Sequence, residues 1–219
     1  MDIVLDEREV RILGCLIEKE VTTPEYYPLS LNSLTSACNQ KSNRNPVVFY
    51  DETAVAQGLD SLQIKGLTRT THTAGSRVPK YLHTTLDRFD LSGKEIAILC
   101  ELMLRGPQTV GEIRTHTERM CAFENLDEVE KTLRGLMEQD PPMAAKLPRE
   151  AGRKECRYMH LFSGPSLAEE KPVDILSTGP EESRVPVQKR IIEMEEEITR
   201  LRSELEELKH AFAQFKSQF

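Results

Sequence analysis

The feature that most constrains this chain is that it repeats itself. Lys80-Tyr81-Leu82-His83 returns as Arg157-Tyr158-Met159-His160, 77 residues on. Val55, Leu59 and Leu62 return as Val129, Leu133 and Leu136, 74 on. Glu9, Val10, Leu13 and Leu16 return as Glu95, Ile96, Leu99 and Leu102, 86 on. Three matches in one order, with offsets that drift as loops of unequal length would make them, indicate a duplicated unit of about 80 residues. A unit that small holds only a few short elements, and both halves must follow one plan.

The plan can be read from caps and periodicity. Asp6 with Glu9 forms a capping box ahead of an apolar stripe, Val10, Leu13, Leu16 and Ile17, that runs to about Glu20. Ser92 with Glu95 opens the equivalent helix, which stops before Gly106-Pro107. Ser30 caps a short second helix, LNSLTSAC, and Thr109 caps its counterpart, VGEIRTHTERM. A third helix runs from Asp51 to Gly66, a suitable residue just past a helix end. Its counterpart runs from about Leu126 to Gln139 and is stopped by Pro141-Pro142. After each third helix comes a β-favouring stretch around a glycine, LTRTTHTAGSRVPKYLHT and MAAKLPREAGRKECRYMHLF.

Three helices followed by a β-hairpin is the winged-helix order, in which the hairpin covers the open side of the helical core through residues such as Leu67, Tyr81 and Leu82. The alternative is another small α+β module. The expected fold is therefore α+β, mostly α, with two tandem winged-helix domains over 1–87 and 88–164. A proline-rich linker over 165–186 follows, because four prolines there interrupt helix and sheet alike. A coiled-coil helix over 187–219 ends the chain.

Within these halves, LGCLIEKE (Leu13–Glu20), TTPEYYPLSLNSL (Thr22–Leu34) and ACNQKSNRNPV (Ala37–Val47) resemble the signature of the YceH family, bacterial proteins without an assigned function. The match is dense in the first half and thinner but collinear in the second. The resemblance implies a tandem winged-helix protein of the bacterial cytoplasm. It carries over no catalytic residue.

The tail stands on its own pattern. Val187, Ile191, Met194, Ile198, Leu201, Leu205, Leu208, Phe212, Phe215 and Phe219 are spaced alternately by four and three residues, an unbroken heptad seam. In a parallel pair, Arg190–Glu195, Glu197–Arg202 and Glu204–Lys209 would face each other with opposite charge. Each such pair is worth only about 0.2–1 kcal/mol, so they select orientation while the apolar seam supplies the energy. Homodimerisation is expected through Ile191, Met194, Ile198, Leu201, Leu205, Leu208, Phe212 and Phe215. The alternative is a lone amphipathic helix on the protein's own body.

Charge narrows the function. The 219 residues carry 29 basic and 36 acidic side chains, net −7, which argues against a generic nucleic-acid coat but not against a local basic patch. The third helices are acidic, with Asp51, Glu52 and Asp60 against Lys65 in the first and Asp127, Glu128, Glu130, Glu138 and Asp140 against Lys131 and Arg134 in the second. Carboxylates turned toward phosphates weaken binding. By contrast, 38–50 and 61–86 contain no acid at all. Any DNA contact is therefore expected on the loop around 39–47 and on the wings, through Lys41, Arg44, Lys65, Arg69, Arg77 and Lys80, then Arg153, Lys154 and Arg157. Asn39, Gln40, Asn43 and Asn45 add amides able to meet phosphates or base edges. The bland alternative is a solvated hairpin. A protein–protein adaptor using the acidic helices is the competing function.

The five cysteines are scattered with no CxxC, and the five histidines show no ligand spacing, so neither metal nor cofactor is expected. No Walker loop, GxSxG or GxGxxG is present, and Tyr81/His83 with Tyr158/His160 recur as packing positions would, so no enzyme is expected. The charged start, MDIVLDEREV, and the lack of an apolar run of about 18 residues predict a cytoplasmic chain without a membrane partner. The candidate partners are double-stranded DNA, a second copy of the chain and another protein.

Overall fold

The computed structural model describes residues 3–72, 78–150, 152 and 155–164. The linker and heptad tail expected over 165–219 lie outside the described residues.

Helix α1 spans Glu7–Thr22 and opens with the Asp6–Glu9 capping box, Glu9 N–H donating to Asp6 Oδ1 at 2.8 Å. A two-residue strand β1, Leu29–Ser30, leads into α2, Leu31–Cys38, capped by Ser30. Helix α3, Glu52–Ile64, is capped by Asp51 and followed, just past Lys65, by Gly66, whose φ of +69° favours glycine. Strands β2, Thr68–Thr71, and β3, Lys80–His83, pair antiparallel. A short helix α4, Thr85–Phe89, follows and is an addition to the expected order. It contains the expected boundary at 87/88. The second half then gives α5, Gly93–Arg105, α6, Val110–Thr117, α7, Leu126–Glu138, β4, Ala144–Lys146, and β5, Tyr158–His160. Its first two helices carry the expected caps, Ser92 and Thr109, each in a complete capping box.

The repetition extends to individual hydrogen bonds. Thr68 faces His83 and Thr70 faces Tyr81; Ala144 faces His160 and Lys146 faces Tyr158. Leu67 N–H donates to Leu62 O, and Met143 N–H to Leu136 O, both at 2.9 Å. Thr84 N–H reaches Leu67 O at 3.0 Å, as Leu161 N–H reaches Met143 O at 2.8 Å. The third strand is repeated too. Leu29, one residue before the α2 cap, pairs with Tyr81, giving the sheet order β1-β3-β2. Gln108, one residue before the α6 cap, bridges Tyr158. The second copy keeps that contact as an isolated bridge, so its sheet has two strands.

The core lies between the copies. α1 packs most extensively against α5, and buried residues of both halves form one continuous cluster. Each of these helices is covered on one side by its own repeat and on the other by its partner. Every residue of α1 from Glu9 to Glu18 is buried, as is every residue of α5 from Ile96 to Leu104. The axes come close at Gly14, where a Cβ would sit 2.9 Å from Leu104 Cδ2 and where Cys100 Sγ donates to the Gly14 carbonyl at 3.3 Å. Leu5 N–H donates to Phe162 O at 2.7 Å, joining the start of the first copy to the end of the second.

Candidate functional site

A phosphate-binding cation has to be exposed and free of internal partners. The expected basic residues divide sharply on that test. Lys41, in the loop after α2, and Arg69, on β2, are exposed, and Lys80 on β3 is half-buried opposite Thr71. These three sit on the acid-free segments. Arg157, just before β5, is half-buried, and its Nε is buried without a hydrogen-bond partner among the described residues. Arg77, Arg153 and Lys154 lie outside the described residues.

Arg44 is a correction. Its side chain is fully buried. Nη2 meets Glu18 Oε2 at 2.5 Å and Nη1 meets Glu18 Oε1 at 3.1 Å, a two-pronged pairing across 26 residues. The remaining donors go to the carbonyls of Ala37 and Asn43 and to Gln40 Oε1. A guanidinium so occupied has nothing left for DNA. Lys65 is likewise spent, reaching both oxygens of buried Glu9 at 2.6 and 2.7 Å and the Val4 carbonyl at 2.9 Å. Burial pushes the Glu9 carboxyl up, but the bond from Lys65 and its neighbours hold it below the ordinary value.

The amides of the same loop are also largely spent. Asn39 clamps Tyr50 in both directions, donating to its carbonyl at 2.7 Å and accepting its N–H at 2.8 Å. Asn43 Oδ1 accepts from Arg105 Nη2 at 2.5 Å. This loop therefore joins the repeats more than it offers a reading surface; the Asn45 N–H is itself bonded to the Leu104 carbonyl of α5 at 2.9 Å.

These contacts form part of a buried ionic cluster between the repeats. Arg119, after α6, contacts Glu18 of α1 and lies 3.5 Å from Glu101 of α5. Arg105 meets Glu101 Oε2 at 2.8 Å. Both carboxylates are fully buried, yet they respond oppositely. Burial raises the Glu18 pKa, but the hydrogen bonds and charge of Arg44, with Arg119, outweigh it and hold the carboxyl below its usual value. At Glu101 burial prevails over Arg105 and Arg119, and the carboxyl is raised. One signal for Glu18 is present in the sequence. It stands seven residues after Arg11, so the two share a helical stripe beside the apolar one of Val10, Leu13 and Ile17.

The outer faces of the third helices are as acidic as expected. α3 exposes Glu52, Gln57, Asp60 and Gln63, and α7 exposes Asp127, Glu130 and Glu138 beside Lys131 and Arg134. Lys94 of α5 pairs with Glu128 of α7. Among the described residues no cluster of metal-ligating side chains occurs, and no helix is long and apolar enough to cross a membrane.

These observations define an α+β protein made of two like units, each with small antiparallel β-structure, joined through a buried helix pair. Residues 5–153 match the model of a protein family described as of unknown function, DUF480, and the chain belongs to that family. It is 52% identical over its full length, and over the full length of the relative, to a UPF0502 protein of Geotalea uraniireducens. It is 49% identical, again end to end, to a UPF0502 protein of Geobacter sulfurreducens. A UPF0502 protein of Koribacter versatilis is 51% identical over 80% of this chain and 81% of its own. The family resemblance, expected over roughly residues 5–163, thus extends along the whole chain.

Proposed function

We propose that each repeat is a winged-helix unit and that the protein binds double-stranded DNA in the cytoplasm as a regulator, its tail pairing two chains. Three helices, a short strand between the first two, and a closing hairpin in the order β1-β3-β2 support the first part. The observation that carries the second is the first hairpin. Arg69 is exposed and Lys80 half-exposed on a segment, 61–86, without a single carboxylate, in a chain of net −7. Segregated charge of this kind gives a phosphate backbone one favourable approach. Contact is assigned to the wing and to Lys41 rather than to α3, whose outer face would repel phosphates.

Anisotropy of a labelled random duplex across a salt series tests it. Each phosphate contact contributes roughly −0.9 to the slope of log K against log salt. The triple variant Arg69→Ala/Arg77→Ala/Lys80→Ala is expected to flatten the slope by about 2.7 if all three touch phosphate. A variant that binds as wild type does removes the wing from the interface. Light scattering with and without 187–219 tests pairing, and an unchanged mass on truncation rejects the tail as its seat. The acidic faces of α3 and α7 support a second reading, an adaptor that docks a basic protein surface; absence of duplex binding at low salt favours it.

A further inference from the structure

A cavity of about 320 Å³ lies at the junction of the repeats. The first repeat contributes Val10, Val48 and Tyr50, and the second Met103, Pro107 and Met159. Its size is at the lower end of the range for small-ligand sites, about 300–1,000 Å³, and its walls are mostly apolar. Two polar side chains, one buried and one half-buried, interrupt them.

The first is Arg11 of α1, 4% exposed. Its Nη2 donates to the Pro46 carbonyl at 2.6 Å, while Nη1 is buried with no hydrogen-bond partner among the described residues. No carboxylate among the described residues forms an ion pair with it. Glu7, one turn earlier on α1, also lines the cavity but is exposed to solvent. Burial lowers the affinity of Arg11 for a proton, and the like charge of Arg44 adds to that. Arg11 and Arg44 are thus opposite cases. Arg44 meets both oxygens of a carboxylate as well as two carbonyls and an amide oxygen, whereas Arg11 meets a single carbonyl. A buried cation without a counter-ion is costly, and only a nearby anion removes that cost without moving the helix. The second interruption is His160 of β5. Burial pushes its pKa down to about 4, so the ring is neutral at pH 7, and its Nδ1 is buried without a partner among the described residues.

We propose that this cavity binds a small organic carboxylate with an apolar aromatic or aliphatic body, its carboxylate meeting Arg11. Nη1 is covered by its surroundings, so a turn of the guanidinium accompanies entry. The neutral imidazole of His160 offers a hydrogen bond without bringing a second cation, and the apolar walls from both repeats enclose the body. Apolar burial supplies most of the affinity, and the charge selects the class of ligand. Such a ligand touches both copies at once and stiffens their junction. The site goes beyond the DNA reading and does not depend on it.

The full chain is titrated by calorimetry with 2-naphthoate, cyclohexanecarboxylate and hexanoate, each beside its primary amide. At least one carboxylate is expected to saturate at one site per chain, with its amide at least tenfold weaker. Arg11→Met removes that preference. Leu147→Trp keeps the cation but fills a cavity-lining position, and weakens acid and amide alike by at least tenfold. Circular dichroism confirms that each variant folds; should Arg11→Met not fold, Leu147→Trp decides. The proposal is overturned if none of the acids saturates, if amides bind as tightly as acids, or if Leu147→Trp leaves binding unchanged.

Discussion

α1 and α5 start with the same capping box, run side by side in one core and are buried on every face, yet they hold charge very differently. α1 carries Glu9, Arg11 and Glu18 into the interior, whereas α5 carries Glu101 alone. Glu9 and Glu18 each have a dedicated cation brought by a loop or helix end, Lys65 and Arg44. Glu101 shares Arg119 with Glu18 and has only Arg105, one turn along its own helix, to itself. Glu101 also occupies the position that corresponds to Cys15 in the first copy, 86 residues earlier. The two helices share an apolar pattern, Val10, Leu13 and Leu16 matching Ile96, Leu99 and Leu102, and differ at their buried polar positions.

The sharpest test of that contrast is to neutralise each carboxylate in turn. Glu18→Gln leaves Arg44 buried with no counter-charge and is expected to cost about 3–5 kcal/mol in urea unfolding. Glu101→Gln, replacing a carboxyl that burial already disfavours as an anion, is expected to change stability by less than about 1 kcal/mol. Equal costs would mean that the two helices handle charge alike.

A smaller effect is expected where the axes approach. The positions 14 and 100 correspond across the repeat, but one is glycine and the other cysteine. Gly14→Ala places a methyl against Leu104 and is expected to destabilise by about 1–3 kcal/mol, less whatever helix propensity returns. Cys100→Ala, which removes a sulfur, is expected to cost about 1 kcal/mol. If Gly14→Ala stabilises instead, the crossing has room and the asymmetry is incidental.

The smallest effect is in the acid limb of stability. A carboxyl lowered by folding stabilises the fold above its unfolded value and loses that contribution as pH falls through its lower folded value. Glu18 behaves so. Glu101, raised by folding, works the other way: protonation at its raised value relieves the fold. From pH 7 down to about 3, Glu18→Gln should therefore flatten the loss of stability and Glu101→Gln should steepen it, each by a fraction of the wild-type change. Chemical denaturation at steps of one pH unit measures both, and shifts of the same sign contradict the assignment.

What is legible in the sequence follows the range of the interactions. Asp6–Glu9, Ser30, Ser92–Glu95 and Thr109 all cap as expected, because a cap needs only a partner three residues away. The first hairpin follows from β-branched residues around a glycine, and the second from the repeated Tyr-x-His. Arg44 is misread from sequence because its partner, Glu18, is 26 residues distant and on another element. Lys65 is misread for the same reason, with Glu9 56 residues away. A loop arginine in an acid-free stretch looks free when only neighbours along the chain are counted. Helix α4 escapes a sequence reading because Thr85–Phe89 is too short to show a period. The single core escapes it too: α1 and α5 each read as one-sided, and their second faces become visible only when the helices are set against each other.

The backbone bond between Leu5 and Phe162 has an evolutionary and an engineering side. It brings the beginning of the first copy within reach of the end of the second, so in a chain cut after Gly164 a short peptide can bridge them and the chain can be reopened near Asp90, between the copies. The permuted gene would translate the second copy first, yet the finished molecule would need no contact remade across its middle. Order along the messenger and order in space are thus separable here, which is what a tandem array that closes on itself permits and an open one forbids.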